Sequence, residues 1–135
     1  MSMRRACVIA LALLALSACG GGLGSARQAA IEAANATLPA PYRDGLITEK
    51  AYAGGTDLVL DVRFAQARVA DLEAKPHLRD ALRADETEAM VELCDDAALK
   101  PYLQAGGHIT RRFIDADGAL FFDARFDGKH CPASP

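Results

Sequence analysis

The sequence predicts an α+β domain, with an antiparallel sheet of about four strands, helices packed on one face and one disulfide. Residues 57–64, DLVLDVRF, alternate apolar and polar side chains, as in a strand with one buried face. Gly54-Gly55 joins this run to another strand-like run, and two further runs flank a turn at 115–118, so two hairpins are expected. Between the hairpins lie segments whose apolar residues recur at helical spacing.

Residues 1–18 have the features of a secretory signal peptide. Two arginines precede an unbroken apolar run over 6–16, which is shorter than the roughly 20 residues needed to span a bilayer. The run leads into LSAC at 16–19, which resembles the lipobox of bacterial lipoproteins. That resemblance implies cleavage before Cys19 and attachment of acyl chains to its sulfur. The alternative is an ordinary signal peptide with a chance cysteine.

Cys19 is therefore predicted to anchor the protein to a membrane, with the folded part in the periplasm. Stable anchoring takes two or more lipid chains, which a lipoprotein cysteine usually carries. The residue after the cysteine is Gly20. In enterobacterial lipoproteins, which this signal resembles, an aspartate directly after the lipidated cysteine retains the protein at the inner membrane. By that resemblance, Gly20 favours the outer membrane. Residues 19–24 are expected to form a flexible tether, and residues 25–135 a single domain.

The other three cysteines follow from this assignment. Cys7 is removed with the signal peptide, which leaves Cys94 and Cys131 in an oxidising compartment, where two thiols pair. A disulfide across these 37 positions stabilises a fold by about 4 kcal/mol in the chain-entropy model. Two free buried thiols are the alternative. No CxxC motif or nearby histidine pair supports a metal site, and none is expected.

The domain is predicted to begin with a helix over 26–38, capped by Ser25 and stopped by two prolines. Strands are predicted over 46–53 and 56–64. The face of the second strand that is expected to be buried carries Leu58, Leu60, Val62 and Phe64.

The middle of the chain is predicted to be helical. Segments 66–74 and 77–84 flank Pro76, where a break is expected because proline cannot continue a helix. A third segment, 86–94, follows Asp85, which has a glutamate three residues later and resembles a capping box. The side chains predicted to face the core are Val69, Leu72, Leu78, Leu82, Met90, Val91 and Leu93.

Asp96 is predicted to cap a short helix over 97–105, which ends at a glycine pair. Strands 108–114 and 119–126 follow, joined by the turn DADG at 115–118. The last strand is predicted to bury Leu120, Phe122, Ala124 and Phe126.

No set of residues predicts catalysis, and the chain is expected not to be an enzyme and to need no cofactor. The three histidines lack the spacing of a metal or hydrolase motif, and no serine lies in a G-x-S-x-G elbow. The DADG segment fails as a calcium loop, because the fifth and twelfth positions counted from Asp115 are alanine and phenylalanine. A β-turn is the interpretation that remains.

Charge also limits the partners. Loss of Arg4 and Arg5 with the signal peptide takes the formal net charge from −3 to −5, and no basic stripe indicates nucleic-acid binding. No small-molecule substrate is indicated. Arg111 and Arg112 are adjacent on a predicted strand and so point to opposite faces, which makes them a weak candidate for a partner contact, since most surface charges contribute little.

The C-terminal third, LCDDAALKPYLQAGGHITRRFIDADGALFFDARFDGKHC (93–131), is similar to the α/β-type pilotins of the type II secretion system. The matching positions are Cys94, Gly107, Gly118 and Cys131, together with the lipidated Cys19. The resemblance implies a small outer-membrane lipoprotein with a helix-flanked sheet and one disulfide.

The function that this resemblance implies is escort of a secretin subunit to the outer membrane. The domain would bind a helical tail of the secretin in an apolar groove. The alternative is an envelope lipoprotein that binds or stabilises a different protein.

Overall fold

A computed structural model describes residues 22–133, so the predicted signal peptide and the predicted lipidation site at Cys19 lie outside the described residues. The described part of the chain folds as α+β. Its elements in chain order are α1 (Leu23–Asn35), β1 (Ala40–Pro41), β2 (Leu46–Gly54), β3 (Asp57–Phe64), α2 (Val69–Glu73), α3 (Leu78–Ala89), the 3₁₀ segment Met90–Asp95, α4 (Lys100–Gln104), β4 (His108–Ile114), β5 (Leu120–Asp127) and the 3₁₀ segment Gly128–His130. Within 22–133, no helix combines the length and apolar character needed to cross a membrane.

The sheet has five strands and is mixed, so the prediction of about four antiparallel strands is wrong in both respects. The strand order is β1-β2-β3-β4-β5, with β3 and β4 parallel and the other neighbours antiparallel. Both predicted hairpins are present, as β2–β3 and β4–β5. The long helical connection between them returns the chain to the end of the sheet where β3 began, and this makes the central pair parallel. The added strand, β1, is only two residues long.

The first helix starts and ends three residues earlier than predicted. Gly22 precedes it, and its carbonyl accepts hydrogen bonds from the backbone N–H groups of Ser25 and Ala26. Ser25 therefore lies inside the helix and is not its cap. Leu23 and Gly24, which were assigned to the flexible tether, are helical.

The helices after β3 agree with the predicted break at Pro76 but not with the predicted helix start at Asp85. The predicted break is confirmed, because α2 ends at Glu73 and α3 begins at Leu78. Asp85 is not a cap, since α3 continues through it to the 3₁₀ segment and no proline or glycine interrupts residues 78–95.

The core lies on one face of the sheet, where α1–α4 pack. It consists of two apolar clusters. The larger includes Ala30, Ile31, Leu58, Leu60, Met90, Leu93, Leu99, Tyr102, Leu103 and Ile109. The smaller includes Leu46, Val62, Phe113, Phe121 and Phe122. On β4, Arg111 lies between Ile109 of the larger cluster and Phe113 of the smaller.

Two residues predicted to be buried are exposed. Val91 is 43% exposed, because it lies in the 3₁₀ segment, outside the helical spacing on which the prediction was based. Leu120 is 46% exposed because the register between β4 and β5 shifts after Phe113. Phe113 pairs with Phe122 and Ile114 with Leu120, so Phe121 is an extra residue and is buried.

The disulfide between Cys94 and Cys131 is confirmed. It joins the 3₁₀ segment after α3 to the chain that follows β5, across a sequence separation of 37. The bond thereby links the helical segment between the two hairpins to the end of β5, an edge strand of the sheet.

The opposite face of the sheet carries polar pairs in place of helices. The guanidinium of Arg125 donates from Nε and from a terminal nitrogen to the two oxygens of Asp57, at 2.8 and 3.0 Å, and Thr110 donates to the same carboxylate at 2.8 Å. Nearby, the Tyr52 hydroxyl donates to Asp61 and accepts from Arg112. These pairs cover the face that the alternation in β3 predicted to be polar.

Candidate functional site

A cleft of about 310 Å³ opens on the helix-covered face, between the C-terminal end of α1 and residues 92–99. The sheet contributes Leu60 of β3 and Arg111 of β4 to its lining. Its apolar lining residues are Ala34, Leu38, Ala40, Pro41, Leu60, Leu93, Ala98 and Leu99. Its polar lining residues are Thr37, Tyr42, Thr48, Glu92, Asp96 and Arg111. The cleft is therefore apolar over most of its lining, with charged groups on one side.

Asn35 fixes one wall of the cleft. Its side-chain amide donates to the carbonyl of Ala51 and accepts from the N–H of Ala51, both at 2.8 Å, so it pairs with β2 as a neighbouring strand would. This contact holds the end of α1 against β2. The chain then turns back as β1, where Ala40 pairs with Thr48.

Asp96 shapes the opposite wall, where it caps a turn and not the helix as predicted, since Leu99 is the N-cap residue of α4. Its carboxylate accepts hydrogen bonds from the backbone N–H groups of Ala98 and Leu99, at 2.9 and 3.2 Å. The capped turn precedes α4, which begins at Lys100, three residues later than the predicted start. The cap places the Ala98 and Leu99 side chains along the cleft.

Arg111 ends the apolar lining with a buried positive charge. Its side chain is only 5% exposed and lies 3.7 Å from a carboxylate oxygen of Glu86, which is also buried. One terminal nitrogen donates to the Tyr42 hydroxyl at 2.7 Å, and the other donates to Glu92 at 3.0 Å. The two carboxylates neutralise a charge that would be costly to bury alone.

Tyr42 connects these groups. Its hydroxyl donates to Glu86 at 2.8 Å and accepts from Arg111 and, at 2.6 Å, from Arg43. A phenol has one donor and two lone pairs, and all three are used. Burial and the hydrogen bond to Glu86 raise the pKa of Tyr42, although Arg111 acts in the opposite direction. The phenol thus stays protonated and is not poised to act as a base.

Arg112, the neighbour of Arg111, points to the other face, as the alternation predicted. It is held there by the Tyr52 hydroxyl at 2.6 Å and lies 3.6 Å from Asp61. Both arginines are therefore engaged within the chain. This engagement weakens the hypothesis that they form a joint contact for a partner.

The DADG segment forms a turn, as predicted. The two carboxylate oxygens of Asp115 accept hydrogen bonds from the backbone N–H groups of Val69, Asp117 and Ala119, and these bonds lower the pKa of Asp115. Across 22–133, no three histidine, cysteine or acidic side chains are grouped so that they could hold a metal ion. Of the histidines, His108 lies 3.0 Å from Asp127.

Sequence reasoning missed Tyr42 and Glu86. Tyr42 lies between β1 and β2, in a segment with no helical or strand pattern, so nothing in the sequence signalled its role. Glu86 was predicted only as part of the helical segment 86–94, with no buried role. In one continuous α3, Glu86 lies four residues after Leu82 and four before Met90, which would have predicted a buried carboxylate in need of a partner.

The chain matches no protein-family model and no curated protein sequence. Its fold is similar to that of a candidate secreted protein from Pseudomonas aeruginosa, at a TM-score of 0.59 and 15% identity over 82% of this chain and 93% of that one. It is also similar to EpsS, the pilotin of the Vibrio vulnificus type 2 secretion system. The TM-score is 0.52 and the sequence identity 18%, over 81% of this chain and 90% of that one. The predicted resemblance to pilotins is thus supported at the level of the fold.

Proposed function

We propose that this protein is a lipid-anchored lipoprotein of the cell envelope that binds another envelope protein and catalyses no reaction. The more specific form of the proposal is that it acts as a pilotin, which escorts a secretin to the outer membrane. The cleft between α1 and residues 92–99 carries the proposal, because it is a largely apolar groove in a fold similar to that of a pilotin. Such a groove suits one apolar stripe of a short helix.

The charged groups beside the cleft support a binding role. Arg111 is neutralised by Glu86 and Glu92, and the Tyr42 hydroxyl is fully hydrogen-bonded. None of these groups is left as a free nucleophile or base. Their fixed geometry instead provides a rigid wall against which a partner segment can pack.

The cleft can be tested with a matched pair of variants. Ala98 lines the cleft and is half-buried, whereas the adjacent Ala97 is exposed and does not line it. Ala98→Arg should block the cleft and abolish capture of the secretin in a crosslinking pull-down from intact envelopes. Ala97→Arg should leave capture unchanged. Equal capture by both variants would exclude the cleft as the binding site.

The secretin itself is tested by deletion of the protein. The amount of secretin in the outer-membrane fraction should fall when this protein is absent. A secretin unchanged in amount and location would overturn the pilotin role. Cleft-dependent capture of another envelope protein would then favour the alternative, a lipoprotein that stabilises a different partner.

The anchor is tested separately with Cys19→Ala. This variant should be released from the membrane and should not undergo lipoprotein-type cleavage. Fractionation and mass spectrometry of the mature N-terminus measure both effects. A variant that stays membrane-bound and is processed normally would contradict the anchor.

A further inference from the structure

We infer that the anchored domain contacts the bilayer through one end of the sheet, which we call the tether pole, and that this pole binds anionic phospholipid headgroups. The tether pole consists of Leu23, Arg27, the hairpin tip Gly55-Thr56 and Lys129. The inference rests on the proposed anchor at Cys19. It adds a second surface to the protein and gives the cleft a direction relative to the membrane.

The short link between the anchor and the fold restricts the orientation of the domain. Helix α1 begins at Leu23, four residues after Cys19, and four residues span at most about 14 Å. A domain of this size has a diameter of roughly 30 Å. The link is too short to pass around the domain, so the end that carries Leu23 must face the lipid.

The start of α1 is fixed against the tip of the β2–β3 hairpin. Arg27 donates from its guanidinium to the carbonyl of Gly55 at 2.7 Å, and more weakly to that of Asp57 at 3.3 Å. Leu23 and Arg27 line a shallow surface depression with Gly55 and Thr56. Leu23 is 41% exposed, so the part of the fold nearest the anchor presents an apolar side chain to the surroundings.

A continuous set of contacts extends the pole to Lys129. The Tyr102 hydroxyl lies 3.4 Å from the carbonyl of Thr56 and donates to that of His108 at 3.0 Å. The His108 ring lies 3.0 Å from Asp127, to which the ammonium of Lys129 is 3.4 Å away. The Lys129 side chain is 72% exposed, so its charge is available to solvent.

The charge of the pole differs from that of the whole chain. Arg27 and Lys129 are positive and Asp127 is negative, whereas the mature chain as a whole carries a net charge of −5. An exposed leucine beside two cations and one anion, a small net positive charge, matches the interface of an anionic bilayer, where each basic residue contributes about 1 kcal/mol.

This orientation lifts the cleft away from the membrane. Along β3, Leu60 lies three residues beyond Asp57, or about 10 Å further from the pole. Thr37 and Leu38 follow the far end of α1, a helix of 13 residues and so about 20 Å long. The cleft therefore opens towards the periplasm, where a partner segment can reach it without entering the lipid.

The experiment imposes the anchor chemically. In the mature chain, with Cys94 and Cys131 bonded, Cys19 is the free thiol and can be coupled to a maleimide lipid in vesicles. Hydrogen exchange of the coupled chain should slow several-fold at residues 55–56 and 128–130 on vesicles that contain phosphatidylglycerol. Residues 97–99, at the cleft, should exchange at the same rate in coupled and uncoupled protein.

A matched pair of charge reversals tests the headgroup contact. Lys129→Glu should weaken the protection at the pole by about fivefold or more, since it removes one cation and adds an anion. Lys75→Glu makes the same change at an exposed site next to Pro76, between α2 and α3, and should leave the protection unchanged.

Three results would overturn the inference. They are unchanged exchange at the pole, protection at residues 97–99 in its place, and equal protection on vesicles of phosphatidylcholine alone. Because the coupling supplies the anchor, these results do not depend on whether the cell lipidates Cys19. Failure of the inference is thus distinguishable from failure of the proposed anchor.

Discussion

Arg111 and Arg125 both pair with carboxylates, but on opposite faces of the same sheet. On the helix-covered face, the Arg111 side chain is 5% exposed and its partner Glu86 is 10% exposed. On the open face, Arg125 is 57% exposed and Asp57 is 11% exposed. The open-face pair has the better geometry, with two short hydrogen bonds between the fork of the guanidinium and the carboxylate.

This comparison indicates that burial, more than hydrogen-bond geometry, decides how much the free energy of unfolding falls when a pair is broken. Removal of Arg125 leaves the Asp57 carboxylate with its hydrogen bond from Thr110, on the face that no helix covers, so the loss is smaller. A charge left alone beside Arg111 cannot be solvated by water. The covered face therefore depends on its polar cluster remaining complete, and this cluster borders the cleft.

The largest expected effect follows from breaking the buried cluster. Arg111→Ala should lower the free energy of unfolding by about 3–5 kcal/mol, because it leaves Glu86 without its positive partner. Arg125→Ala should lower it by only about 1–2 kcal/mol, because the Asp57 carboxylate that is left keeps the hydrogen bond from Thr110. Urea unfolding followed by circular dichroism measures both. Similar values for the two variants would show that burial does not separate the two faces.

A second variant distinguishes lost charge balance from lost packing. Arg111→Met combined with Glu86→Gln removes both charges and keeps the volume similar. It should recover much of the stability that Arg111→Ala loses. No recovery would mean that packing, and not the uncompensated carboxylate, causes the loss.

The disulfide tests whether the covered face also depends on a covalent link. Replacement of Cys94 and Cys131 by serine should lower the free energy of unfolding by about 2–5 kcal/mol, since the bond closes a long loop. The same urea titration measures this effect. Addition of a reductant to the wild-type protein should reproduce it and should have no effect on the double variant.

Acid should affect the open face. The hydrogen bond from Arg125, helped by the one from Thr110, lowers the pKa of Asp57 from 3.8 to about 2. A lowered folded pKa means that the stability from this carboxylate is present above pH 4 and is lost as the pH falls through 2. The contribution is on the order of 1–2 kcal/mol.

The variant Asp57→Asn should flatten the dependence of stability on pH between 4 and 2. The pKa of Asp127 is also lowered to about 2, by hydrogen bonds from the Lys129 N–H and the His108 side chain. The acid dependence that comes from Asp127 should therefore remain in this variant. A variant with the same acid profile as the wild type would contradict the assignment to Asp57.

Base should affect the covered face, with the smallest expected effect. The raised pKa of Tyr42 means that its contribution is full below pH 10 and is lost as the pH rises above that value. Tyr42→Phe should therefore be less sensitive to alkali than the wild type. Thermal unfolding between pH 9 and 11 measures the slope, and a slope for Tyr42→Phe equal to that of the wild type would contradict the assignment.

The element types were largely predictable because they depend on local sequence. Gly55-Thr56 turns the β2–β3 hairpin, one residue later than the predicted Gly54-Gly55, with Gly55 at a positive φ of 57°, and the DADG segment turns the β4–β5 hairpin. Pro76 ends a helix for reasons contained in its own ring. Asp96 caps the turn before α4 through backbone groups two and three residues away.

The candidate site was not predictable, because its members come from distant parts of the chain. Tyr42 and Glu86 are 44 positions apart, and Tyr42 and Arg111 are 69 apart. No local pattern relates them. Arg111 was predicted only as a strand residue that points to the face opposite Arg112, and its burial depends on α3 passing over that face.

The sequence by itself determined the two hairpins, the break at Pro76, the turn that Asp96 stabilises and the pairing of Cys94 with Cys131. Each of these follows from short-range backbone chemistry or from the small number of cysteines left to pair. The tertiary structure decided the parallel pairing of β3 with β4, the burial of Glu86 and Arg111, and the cleft beside them. These features depend on where the long helical connection crosses the sheet, and packing over the whole domain sets that path.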